Sequence, residues 1–159
     1  MRFEHVNSYA APPAEVLQML TDREFRSRVC VAQRAQRHSV EVDGDGTGRK
    51  VVVRREQAVE GAPGVVTKLT GDSVEIVHTE TWSTAEGADL LIEIPGKPGR
   101  LSGTIALRES DGGTDQIFGG EVKVSIPIVG GKVESFLSDL LVRALRSEGR
   151  VGAEWLRGR

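Results

Sequence analysis

Alternation of apolar and polar positions dominates the middle of the chain. Residues 73–82 set Ile76, His78, Glu80 and Trp82 on one face. Residues 50–58 set Val51, Val53, Arg55 and Gln57 together, and residues 38–42 alternate His38, Val40 and Val42 with Ser39 and Glu41. The same period recurs in residues 88–95 (Leu90, Ile92, Ile94), in 101–108 (Leu101, Gly103, Ile105, Leu107) and in 118–126 (Phe118, Gly120, Val122, Val124, Ile126). Turn-forming residues separate these runs: Asp43 to Gly48, Gly96-Lys97-Pro98-Gly99 and Asp111-Gly112-Gly113. Connections this short leave no room for crossover helices, so the strands pair antiparallel. A further strand over 2–9 places Phe3, His5, Asn7 and Tyr9 on one side and Glu4, Val6 and Ser8 on the other, a mixed pattern that leaves the inward face open.

Helical spacing replaces alternation in four places. Ala11-Pro12-Pro13 opens a helix carrying Val16, Leu17 and Leu20, and Thr21 or Asp22 caps a second one with Phe25, Val29 and Cys30. At the far end Val133, Phe136, Leu137, Leu140, Leu141, Ala144 and Leu145 recur every three or four residues, with Arg143, Arg146 and Glu148 assigned to the polar side. Val151, Trp155 and Leu156 extend the stripe, although Gly149 and Gly152 weaken it. Between residues 60 and 71 glycine and proline interrupt the strands, and Val65, Val66 and Leu69 fit a single helical turn.

Seven strands and one long amphipathic helix have to share a core, giving an α+β protein whose sheet curves around the C-terminal helix. Gly103, Gly119 and Gly120 are the positions where strands can bend sharply. The order strand, two short helices, six strands, long helix resembles the START-like (SRPBCC) superfamily, the helix-grip fold shared with the birch-pollen allergen and with polyketide cyclases. The segments that carry the likeness are Ala11-Pro12-Pro13-Ala14-Glu15-Val16, Trp82, and Val124 to Glu134 with its Pro127 and Gly130-Gly131. Pro63 to Leu69 and Ile94-Pro95-Gly96-Lys97-Pro98 further resemble an uncharacterised actinobacterial family, a domain of unknown function. The likeness spans residues 1–159 as one domain. It implies a cavity between sheet and long helix for an apolar or amphipathic small molecule. The expected walls are Phe3, His5, Val53, Arg55, His78, Glu80, Trp82, Leu90, Ile92, Ile105, Phe118 and Val122 from the sheet. Val66 and Leu69 join from the interrupted segment, and Phe136 and Leu140 from the helix. Alternating strand directions bring the loops after the third, fifth and seventh strands to one end, the expected mouth, with Val65, Val66 and Leu69 as a mobile lid.

Composition narrows the chemistry. The chain has 159 residues, 38% hydrophobic and 28% charged, with a net charge of −2. This suits one soluble domain and lacks the basic excess of a nucleic-acid binder. No run approaches the roughly 18 apolar residues of a membrane helix. No apolar stretch follows Met1-Arg2-Phe3-Glu4-His5, so no signal peptide is expected and the cytoplasm is the expected compartment. The single cysteine, Cys30, excludes an internal disulfide and is read as a buried structural thiol. His5, His38 and His78 are not closely spaced, so neither a metal nor another cofactor is expected.

Arg55 and Glu80 face each other on neighbouring strands and invite two readings: a structural ion pair, the favoured one, or a polar contact from Arg55 or His78 to a ligand head group. Arg23, Arg26, Arg28, Arg34 and Arg37 read as a solvated basic face, and Trp155 as an anchor between the long helix and the short ones. The preferred function is noncatalytic binding or carriage of a lipid-like molecule by a monomer or homodimer. The alternatives are a polyketide cyclase or aromatase using His78, Glu80 or Arg55, and a cavity-less interaction module.

Overall fold

The computed structural model describes residues 1–44 and 48–158; of the turn expected between Asp43 and Gly48, residues 45–47 lie outside this range. Strand β1 (Arg2–Tyr9) leads into helices α1 (Pro13–Leu20) and α2 (Arg23–Ala32). Strands β2 (Arg37–Asp43) and β3 (Arg49–Ala58) follow, then a short helix α3 (Gly64–Thr70). Strands β4 (Ser73–Thr84), β5 (Gly87–Glu93), β6 (Gly99–Ser110) and β7 (Gly113–Val124) precede the long α4 (Gly130–Arg157). The strands form one seven-stranded sheet in the order β1-β7-β6-β5-β4-β3-β2, antiparallel throughout. The fold is α+β, a curved sheet closing around α4, with α1 and α2 across the remaining side.

Local chemistry explains the element ends. Proline at the start of α1 lacks an N–H that a first helical turn would leave unpaired. Asp22 caps α2, its carboxylate accepting the Phe25 N–H at 3.1 Å. In β1 the inward face is that of Phe3, Asn7 and Tyr9, all buried.

Two glycine pairs shape the core. Gly103 on β6 faces Gly120 on β7, and a Cβ on Gly103 would lie 2.0 Å from the Gly119 carbonyl oxygen, so only glycine lets the strands approach there. Gly149 and Gly152, expected to weaken α4, leave it helical to Arg157 and bring it close to β1. A Cβ there would strike the Asn7 side chain at 2.8 Å and the Tyr9 ring at 2.5 Å. Tight contact with β1 outweighs their modest helix penalty.

Candidate functional site

The two ends of the space beneath the sheet are filled differently. At one end Phe3, Val51, Trp82, Leu90, Ile105 and Phe118 are buried against one another and against Val16, Leu20 and Phe25 of the short helices. Trp155 meets Phe25 edge-on with ring centres 5.7 Å apart, and the Arg28 guanidinium lies 5.0 Å over its ring. At the other end, where β3, β5 and β7 finish, a cavity of about 430 Å³ remains between sheet and α4. Its walls are Ile76, Ile92, Ile94, Leu101 and Val122 from the strands and Leu137, Leu140, Leu141 and Ala144 from α4. That volume falls in the range of small-molecule sites, about 300–1,000 Å³.

A buried polar network spans the packed end. Arg26 Nη2 donates to Glu80 Oε1 at 2.5 Å, Nη1 to Glu148 Oε1 at 3.0 Å, and Nε to the Leu20 carbonyl at 2.7 Å. Trp82 Nε1 donates to Glu80 Oε1 at 3.0 Å, and His78 Nε2 lies 2.6 Å from Glu80 Oε2. Gln116 donates to Glu148 at 2.9 Å and accepts from Tyr9 Oη at 3.0 Å. Burial pushes the Glu80 carboxyl up, but Arg26 and the hydrogen bond from His78 outweigh it and hold the group well below its usual range. Glu80 is thus a carboxylate, which can only accept, so the shared proton sits on His78 Nε2. Burial likewise lowers the Arg26 pKa, and Glu80 and Glu148 more than reverse the effect.

This network corrects the expected Arg55–Glu80 ion pair. Glu80 is bound by Arg26 of α2, and Arg26, assigned to a solvated face, is 3% exposed. Glu148, assigned to the polar side of α4, is buried as well. The spacing held a signal for both. Arg26 stands three and four residues before Val29 and Cys30, and Glu148 three and four after Leu145 and Ala144, so each continues an apolar stripe.

Arg55 has a different setting. It is 7% exposed, lines the cavity, and among the described residues makes no ion pair. Its Nε is buried without a hydrogen-bond partner, and burial lowers its pKa. Val53, Arg55, His78 and Ile92 also line a pocket of about 20 Å³ deeper in, with Cys30 and Glu148. Such a pocket holds about one water molecule. The Cys30 thiol is buried and its pKa raised by burial.

Of the expected wall residues, the structure places Arg55, Ile92, Val122 and Leu140 on the cavity, and Val53 and His78 on the deeper pocket. Phe3, Glu80, Trp82, Leu90, Ile105 and Phe118 lie in the packed end. His5 bonds Asn7 at 2.8 Å beside Phe118, and His38 is exposed on β2. Val66 packs with Val124 and Val133 in a second small cluster that Val65 and Phe136 flank, and Leu69 is half-buried on the same helix. No residue of α3 is among the cavity's lining residues, so the segment expected as a lid sits in this structure as an anchored helix against the start of α4. No group of three potential metal ligands occurs among the described residues. No described helix is long and apolar enough to cross a membrane.

A family model described as "Protein of unknown function (DUF2505)" matches residues 4–156. The chain belongs to this family. The uncharacterized protein Rv0481c of Mycobacterium tuberculosis is 27% identical over 119 residues, covering 71% of this chain and 68% of the relative. Among solved structures, TTHA0849 from Thermus thermophilus superposes with a TM-score of 0.67 at 17% identity, covering 97% of this chain and 95% of that one. The di-domain ARO/CYC StfQ from the steffimycin biosynthetic pathway gives 0.67 at 11% identity, over 99% of this chain and 52% of its own length. Ara h 8.0201 gives 0.54 at 19% identity, covering 95% of this chain and 97% of its own. These likenesses show that the DUF2505 chain shares the fold of those proteins.

Proposed function

We propose that the protein binds a small molecule with an apolar body in the cavity between the sheet and α4. The observation that supports this reading is the contrast within one core: aliphatic side chains surround about 430 Å³ at one end while the other end is packed. Burying ligand surface there contributes about 25 cal/mol per Å². Native mass spectrometry of protein purified from its host, with lipid extraction, is the direct test, and a recovered apolar species in near-stoichiometric amount is the expected result. Leu140→Trp and Ala144→Leu, which fill the cavity, should abolish uptake of the neutral dye N-phenyl-1-naphthylamine. Undiminished uptake in folded variants would remove the cavity from the function.

A second reading, ring-closing catalysis of the kind implied by the ARO/CYC name of one structural neighbour, draws support from the His78–Glu80 contact. His78 lines the deeper pocket, which shares Gln33, Arg55, Ile92, Leu141 and Ala144 with the main cavity. Prolonged incubation with the recovered ligand separates the two readings. A ligand unchanged in mass, retention time and absorption spectrum supports binding, whereas a cyclised isomer of the same mass or a dehydrated product supports catalysis.

A further inference from the structure

We propose that the ligand is an anionic amphiphile, an apolar chain ending in one oxyanion, and that this head group is seated on Arg55. The inference rests on the cavity reading above and specifies the ligand's charge. A guanidinium this buried ordinarily has an acidic partner, since removing a charge from water is costly unless it is compensated. Among the described residues Arg55 has none, although Arg26 shows that this fold can supply partners. Glu148, which shares the deeper pocket with Arg55, is already held by Arg26 and Gln116.

The rest of the wall has the same sign. Arg34, Arg100 and Arg143 line the cavity and are exposed, which puts them at its rim, and among the described residues no aspartate or glutamate lines it. This is notable in a chain with 21 basic and 23 acidic residues. None of the three rim arginines makes an ion pair among the described residues. The site is therefore apolar in its walls, cationic at Arg55 and cationic around its opening, a field that draws in an acid and holds it by charge-assisted hydrogen bonds. Gln33 and Gln57 add a second requirement. Their amide nitrogens donate to the Ala144 and Gln33 carbonyls at 3.0 and 2.6 Å, leaving both Oε1 atoms buried without a donor. A hydroxyl on the ligand, or a water carried in with it, satisfies them.

Calorimetric titration of delipidated full-length protein at neutral pH with dodecanoate, dodecanol, methyl dodecanoate and monododecyl phosphate tests the proposal. Dodecanoate or the phosphate should bind at least about tenfold more tightly than the two neutral ligands. Which of the two acids binds more tightly distinguishes a carboxylate from a phosphate head. Arg55→Met should erase that preference by bringing acid binding down to the level of the neutral ligands, and Arg55→Lys should restore part of it. Equal affinity for acid and alcohol would overturn the head-group assignment and leave the cavity reading standing. A preference for acid that survives in Arg55→Met would overturn the role of Arg55. Failure of every ligand and of the neutral dye to bind would overturn the cavity reading itself.

Discussion

Arg26 and Arg55 are both buried, at 3% and 7% exposure, and their surroundings could hardly differ more. Arg26 has a carbonyl and two carboxylates within 3.0 Å. Arg55 has a cavity on one side and an Nε with no acceptor. The first arrangement is self-sufficient. It ties α2 to β4 and to α4 and thereby fixes three elements of the packed end relative to one another. The second is left incomplete by contacts among the described residues, and the proposal above assigns the missing partner to a ligand. A single core is thus built in two ways, tightly packed at one end and open around a cavity at the other.

Equivalent substitutions should therefore have unequal consequences at the two ends. The largest effect is expected for Arg26→Met, which leaves Glu80 and Glu148 buried without their cation and should cost about 3–5 kcal/mol in urea denaturation. A loss below about 1 kcal/mol would show the network to be dispensable. Next come two leucine truncations. Leu90→Ala in the packed end should cost about 2–5 kcal/mol, whereas Leu140→Ala on the cavity wall should cost less than about 1, since its surroundings are already open. Similar losses would mean that the two ends are packed alike.

Acid should act on the packed end as well. The Glu80 carboxyl is held at about 2 in the folded protein and near its ordinary value, about 4.3, when unfolded. Between those values the unfolded chain binds more protons, so stability rises with pH across this window. The contribution is fully present above about pH 4.3 and lost as pH falls toward 2. Glu80→Gln should flatten this part of the stability–pH curve, and an unchanged curve would show that Glu80 does not titrate as described. The smallest effect, opposite in sign, is expected for Arg55→Met. Removing a buried cation without a partner should stabilise the ligand-free protein by about 1 kcal/mol, and destabilisation instead would indicate that Arg55 supports the fold.

Alternation in β4 and the stripe on α4 made the architecture legible, because strand and helix faces follow from local spacing. His78, Glu80 and Trp82 on one inner face, and the helical turn around Val66, came from the same logic. The polar core did not. Arg26 and Glu148 stand at core spacing, but a charged residue reads as solvated by default, and only a partner overrides that default. Their partners are distant along the chain, Glu80 at 54 residues and Glu148 at 122 residues from Arg26. Which arginine would reach Glu80 depended on how α2 crosses the sheet, a relation no short window contains. The same nonlocality hid the cavity's limits: Leu90 and Ile92 share a strand face, yet only Ile92 lines the open volume.

The position of the two tryptophans has a practical consequence. Both indoles belong to the packed end, and among the described residues no phenylalanine, tyrosine or tryptophan lines the cavity. Intrinsic fluorescence will therefore follow unfolding faithfully while staying nearly silent as the pocket fills. Screens that rely on tryptophan quenching would score true ligands as inactive, whereas thermal shift or an extrinsic dye would register them.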